Sequence, residues 1–194
     1  VANAAKRKIL IEGVSVDRVG GLHGAATKAL FTAADHVSVR DRQSIEIVRN
    51  WRPDALLLPD LSDAMSSVPS VVGERVLRRA GVKPGRTVVG LALTGVNAAV
   101  ASQVARAVAD TVKNLPQIEF CFIPMSQHPF VSRHNDLLFA RQLQRQAPRI
   151  RIVESVERPA DVLSAFGALS AVVGMRYHSL VFAERSGTPL VPVA

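Results

Sequence analysis

Short apolar runs alternate with longer stretches of helical periodicity almost from one end of this chain to the other, and that alternation admits few folds. A run too short for a helix and apolar on both faces reads as a strand buried between two layers. When each such run is followed by an amphipathic stretch long enough to cross back over it, the strands come out parallel. The reading is therefore an α/β fold.

The first runs are Lys8 to Val16, His36 to Arg40 and Ala55 to Pro59, with helical patterns near residues 22–34 and 42–51, enough for a three-strand unit. From Ser62 to Ser70 the sequence turns to Ser, Asp, Met and Pro with neither period, which reads as a linker. Beyond it, strands are expected at 87–93, 118–124, 150–153, 171–173 and 190–193, and helices near 71–80, 97–113, 132–146, 159–166 and 179–186. Helix 97–113 carries Val100, Val104, Ala107, Val108 and Thr111 at steps of three and four, a stripe suited to packing on a sheet. No solenoid repeat or low-complexity tract interrupts the pattern. Two Rossmann-like parallel-sheet units follow, residues 1–66 with the linker and 67–194, the first incomplete. Because the chain starts without Met and stops in a run that reads as a strand, it reads as a piece of a longer polypeptide.

Composition narrows the function. Aromatic residues are only 5% of the chain against 48% apolar overall, so a core of Val, Leu, Ile and Ala is expected rather than stacked rings. The formal charge is +8, and 19 of the 24 cations are Arg, whose planar fork suits carboxylate and phosphate. Those Arg are scattered, with no basic block and no interleaved aromatic platform, which argues against nucleic acid. The single cysteine, Cys121, lies in an apolar run and excludes a disulfide framework or a zinc site of its own. His23, His36 and His134 are too isolated to suggest a metal, and none is expected. No apolar stretch approaches the roughly 20 residues that span a bilayer, and Val1 to Lys8 does not read as a secretory signal, so a cytoplasmic protein is the expectation.

The most informative stretch is the last strand-to-helix junction, where Ala171-Val-Val runs into Gly174, then Arg176 and His178. Ligands in such sheets bind at the carboxyl ends of strands, where free helix N–H groups and the helix dipole favour an anion. Thr94 and Asn97, after one strand, and Ser126, Gln127 and His128, after the next, are expected on the same rim. Gly20-Gly-Leu-His-Gly24 has phosphate-binding character but lacks the full dinucleotide or Walker spacing.

Gly-Met-Arg-Tyr-His-Ser-Leu-Val-Phe-Ala at 174–183, followed by Ser-Gly-Thr-Pro-Leu-Val at 186–191, resembles the closing motif of the polysaccharide pyruvyl transferase family. Residues 35–44 resemble its strand, Arg-Asp and Ser element, 58–61 its short acidic turn, and Phe122 to Pro124 with Asp136 to Ala140 its middle section. The resemblance spans essentially the whole chain and places it on the carboxyl-terminal two thirds of a member. The loop after strand 87–93 departs from it, reading Thr94-Gly-Val-Asn97 where members often carry an Arg.

The resemblance implies a fold like that of two-domain, GT-B-like glycosyltransferases. It also implies transfer of a carboxyethylidene group from phosphoenolpyruvate to two hydroxyls of a sugar in a cell-surface glycan or lipid-linked precursor, with no cofactor. Arg176 would then grip the donor's carboxylate or phosphate, and His178 would act as general acid. Arg40 would assist from the domain cleft, and Ser179 would join the substrate-binding set. Such an enzyme would be cytoplasmic, with peripheral association at the inner face of the membrane. Two rival readings stand beside it: a nucleotide-sugar glycosyltransferase of the same fold, and a non-catalytic anion-binding module.

Overall fold

The inner strands carry β-branched and leucine side chains that helical layers bury, whereas Leu10, Leu56, Leu57 and Val191, on edge strands, stay exposed. The computed structural model describes residues 7–66, 69–95, 97–156 and 158–193. Residues 1–6, Ser67 and Val68 of the expected linker, Val96 of the 94–97 loop and Ala194 of the last run lie outside the described residues. The chain divides into two units, Met65 closing the first and Ser66 opening the second.

In the first unit β1 (Leu10–Val14), β2 (His36–Val39) and β3 (Leu56–Leu57) pair in parallel in the order β1-β2-β3. Helices α1 (Gly21–Ala33) and α2 (Arg42–Val48) make the connections. The core joins Val37, Val39, Ile45, Val48 and Phe31, with Phe31 edge-on to Trp51 at 6.2 Å. Helix α2 starts where it does because Asp41 accepts from the Ser44 amide at 2.8 Å, closing the first turn. The start of the expected linker is ordered, as a 3-10 turn over Leu61–Ala64. Asp60 builds it by accepting from the Ser62 amide at 2.8 Å, a local cap that hydropathy does not register.

The second unit runs α3 (Ser70–Arg79), β4 (Val88–Ala92), α4 (Ala98–Asn114), β5 (Glu119–Phe122), α5 (Asp136–Gln146), β6 (Arg151–Ile152), α6 (Pro159–Gly167), β7 (Ala171–Gly174), α7 (Tyr177–Arg185) and β8 (Leu190–Pro192). All strands pair in parallel in the order β6-β5-β4-β7-β8. From β4 the chain steps outward to β5 and β6, then returns to the other side of β4 for β7 and β8. The order therefore reverses at β4, and in open sheets of this kind ligands bind at the carboxyl end of the strand where the order reverses.

Helices α4 and α5 pack together over β4, β5 and β6, while α6 packs against α7 and α3. The α3–α6 contact is close because Gly73 has no side chain: a methyl group there would sit 2.0 Å from the Ser164 carbonyl oxygen. The Gly73 amide donates to the Ser164 hydroxyl at 2.8 Å instead.

The core is more aromatic than composition suggests. Phe31, Phe120, Phe122, Phe139, Phe166 and Phe182 are all buried, and Phe122–Phe139 and Phe166–Phe182 meet edge-on at 6.3 and 5.8 Å. Rings are few, but each buries enough area to contribute roughly 1.5–3 kcal/mol, so nearly all are placed inside. Phe130, 90% exposed on the loop after β5, and Tyr177, half-exposed at the start of α7, are the exceptions.

Candidate active site

Helix α7 begins at Tyr177, so His178 lies inside its first turn rather than ahead of it. The turn is tight. The Ser179 hydroxyl donates to the Arg176 carbonyl at 2.6 Å, and the Ser179 amide donates to the same oxygen at 2.9 Å. Gly174 makes room for this, since a methyl group there would lie 2.7 Å from the Ser179 oxygen. The spacing of Gly174, Arg176 and Ser179 is thus set by a helix folding directly onto its strand end. Ser179, expected to touch substrate, is fully buried with its hydroxyl used in holding the turn.

Arg176 caps the other end of this geometry. Its Nε donates to Oδ2 of Asp136 at 3.2 Å and its Nη2 to Oδ1 at 2.7 Å, a side-on fork. Asp136 is 1% exposed and Arg176 24%. A buried carboxylate needs such pairing, because desolvation is costly without it. Asp136 also accepts from the Ser126 amide at 3.0 Å, and its own amide donates to the Ser126 carbonyl at 2.8 Å. The ion pair therefore ties the loop after β5 to the loop after β7, and since β4 lies between those strands it spans the carboxyl end of β4.

Thr94 stands at that strand end, with its hydroxyl oxygen buried and without a hydrogen-bond partner among the described residues. A buried hydroxyl left unpaired costs free energy that a bound polar group would recover. Asn97 caps α4, its side chain accepting from the amides of Ala99 at 3.1 Å and Val100 at 3.3 Å. The positive ends of α4 and α7 both open on this edge of the sheet.

The other rim residues build the loop that follows β5. Ser126 donates its hydroxyl to the His134 carbonyl at 2.7 Å, and Gln127 donates to the Glu154 carbonyl at 3.3 Å. His128 accepts at Nδ1 from the amides of Phe130 (3.1 Å) and Val131 (3.0 Å), which ties the ring to its own loop. His178 is partly buried, with its ring 5.3 Å from that of Tyr177 and 6.2 Å from that of Phe182.

Arg40 follows β2 in the first unit. Its Nε donates to the Ser15 hydroxyl at 2.8 Å and its Nη1 pairs with Asp60, a carboxylate 6% exposed. Asp41 accepts from Ser15 and Ser44. Partial desolvation raises its pKa, but the hydrogen bonds from Ser15 and Ser44 and the charge of Arg40 outweigh this and hold it below its ordinary value.

Burial, with Glu119 adding to it and Arg151 opposing, pushes the Cys121 thiol up to about 12, which keeps it protonated and inert. Among the described residues no three His, Cys, Asp or Glu side chains gather to hold a metal ion, and no helix is long and apolar enough to cross a membrane.

Asp136 and Asp60 are the members that sequence reasoning missed. In the sequence both stand only within motifs, Asp60 in the acidic turn 58–61 and Asp136 at the start of 136–140, and nothing in a linear pattern joins them to arginines 20 and 40 residues away.

A profile of the polysaccharide pyruvyl transferase family matches residues 1–194, the whole chain. Among solved structures, the chain is similar to the Anabaena protein HepE in complex with UDP-glucose, at 13% identity and a TM-score of 0.57, covering 98% of this chain and 54% of that one. It is similar to a UDP-forming α,α-trehalose-phosphate synthase from Burkholderia vietnamiensis at 12% identity and a TM-score of 0.54, covering 98% and 53%. A sucrose-phosphate synthase from Thermosynechococcus elongatus aligns at 16% identity with a TM-score of 0.52, covering 87% and 43%. The chain thus spans about half the length of the structures it matches. At these identities the likeness is one of fold, that of GT-B glycosyltransferases. No curated protein matches the chain. The full-length profile match, together with the Gly174, Arg176 and His178 junction, makes this chain a member of the polysaccharide pyruvyl transferase family, a family of transferases.

Proposed function

We propose that the protein to which this chain belongs transfers a carboxyethylidene group from phosphoenolpyruvate to two hydroxyls of a sugar in a cell-surface glycan or its lipid-linked precursor. The observation that carries this reading is the orientation of Arg176. Asp136 occupies the Nε and Nη2 side of the guanidinium, which leaves the Nη1 and Nη2 end as a second fork. That end matches the paired oxygens of a carboxylate or phosphate. The unpaired hydroxyl of Thr94 at the same strand end adds a donor.

In the reaction the donor's methylene carbon gains a proton and becomes a methyl group, while the adjacent carbon takes up positive charge and is attacked by one sugar hydroxyl. The carbon–oxygen bond to phosphate then breaks, the second hydroxyl attacks the same carbon, and the ketal closes. One hydroxyl proton ends on the methyl group and the other on the released phosphate. His178 is the group suited to deliver the first, because imidazole exchanges a proton near neutral pH. Arg176 offsets the charge of the donor.

The test is phosphate release by the full-length protein, given phosphoenolpyruvate and candidate glycan precursors. Release that requires both acceptor and donor is expected, and His178→Ala should slow it about 10²–10⁴-fold, the usual range for a general acid. Turnover of a nucleotide sugar in place of phosphoenolpyruvate would overturn the donor assignment, and a His178→Ala protein with undiminished turnover would overturn the acid.

A further inference from the structure

A cavity of about 620 Å³ runs along the free edge of the second sheet, between α3 on one wall and β6 with the segment after it on the other. It falls in the range of small-molecule sites. Val72, Val76 and Ile152 contribute apolar surface, and the rim carries four arginines, Arg75, Arg79, Arg151 and Arg158. The two lining carboxylates are already engaged: Asp161 is forked by Arg158, at 2.8 and 3.3 Å, and Glu154 faces Arg141 at 3.5 Å.

Among the described residues, the side chains of Arg75, Arg79 and Arg151 make no hydrogen bond or ion pair. Arg75 and Arg79 stand four apart on α3, a spacing that puts like charges side by side and costs the helix stability. Arg151 reaches back across to the end of the same helix. A methyl group on Gly81, just past α3, would lie 3.7 Å from its Nε and 3.8 Å from its Nη1. Three guanidiniums without carboxylates thus line one cavity from two walls, an arrangement that an anion would relieve and that planar guanidinium forks suit to phosphate.

We propose that this groove is a second ligand site, for a small molecule bearing at least two phosphate charges, separate from the Arg176 site. None of the residues assigned to the donor lines it, so the proposal does not depend on the pyruvyl transfer reading.

Calorimetric titration of inorganic pyrophosphate into the full-length protein tests it. Saturable binding is expected to persist in Arg176→Gln, which lacks the donor fork, and to weaken at least ten-fold when R75Q/R79Q is added to that variant. Because Arg75 and Arg79 are exposed, the double variant should melt with the parent protein. If it does not, Arg151→Gln, on the opposite wall, carries the same expectation. Absence of saturable binding overturns the site, as does affinity that survives these changes or vanishes in Arg176→Gln. Inorganic phosphate binding as tightly as pyrophosphate overturns the requirement for two phosphates.

Discussion

Each unit holds one arginine just past a strand end and pins it with a buried aspartate, yet the two arginines are left in different states. Arg40 is drawn in from two directions, its Nε by Ser15 and its Nη1 by Asp60. Arg176 is held from one side, through Nε and Nη2, by Asp136. The first arrangement knits a guanidinium into its unit. The second orients a guanidinium while keeping one fork for something else. A strand-end arginine is thus characterised less by its position than by which of its five donors the fold consumes.

Substituting the two arginines in parallel tests this contrast most strongly. Arg176→Gln is expected to reduce acceptor-dependent phosphate release by about 10²–10³-fold, the loss typical of a donor aimed at developing charge. Arg40→Gln should cost less activity than Arg176→Gln, and equal losses would break the comparison.

Removing the aspartates comes next in size. Taking one partner from a buried pair costs about 3–5 kcal/mol when both are fully buried. Both arginines retain some solvent contact, so a loss of about 2–3 kcal/mol is expected for Asp136→Ala and Asp60→Ala alike. Denaturant unfolding separates them, because Trp51, the one tryptophan, reports on the first unit. Its fluorescence midpoint should fall for Asp60→Ala, whereas Asp136→Ala should lower activity as well, through the orientation of Arg176.

The smallest effect sharpens the picture of how the first unit is knitted. Asp41→Ala removes the cap of α2 and should cost about 1 kcal/mol. The Asp41 pKa is lower in the folded protein than its ordinary 3.8, so this contribution is complete above about that pH and fades as pH falls through the lower folded value. Parent and variant should therefore converge in stability under acid, as a pH series of Trp51 unfolding curves would show.

The α/β class and the strand-end position of Arg176 were legible because period and polarity are local properties. Apolar runs such as 87–93 and 118–124 could bury both faces only in a layered sheet. The junction at 174–178 follows from a strand meeting a helix, and its motif carried the family resemblance. Less was legible where a single side chain shifts an element boundary. The helix expected from 132 begins at Asp136, because Asn135 accepts from the Leu137 amide at 3.1 Å and forms the cap. A helix expected from 179 begins at 177, because Ser179 can turn back onto the Arg176 carbonyl only where Gly174 leaves space.

By itself, then, the sequence determined the layer architecture, the parallel strands and the strand end at which Arg176 stands, since burial along a chain follows its own periodicity. Only the tertiary structure decided that Asp136 grips Arg176, that Asp60 grips Arg40, and that Ser179 and Asn97 serve the backbone. Those outcomes depend on strand order, which brings residues far apart in sequence within hydrogen-bonding distance. They depend too on competition among donors for a few buried oxygens, which no linear pattern records.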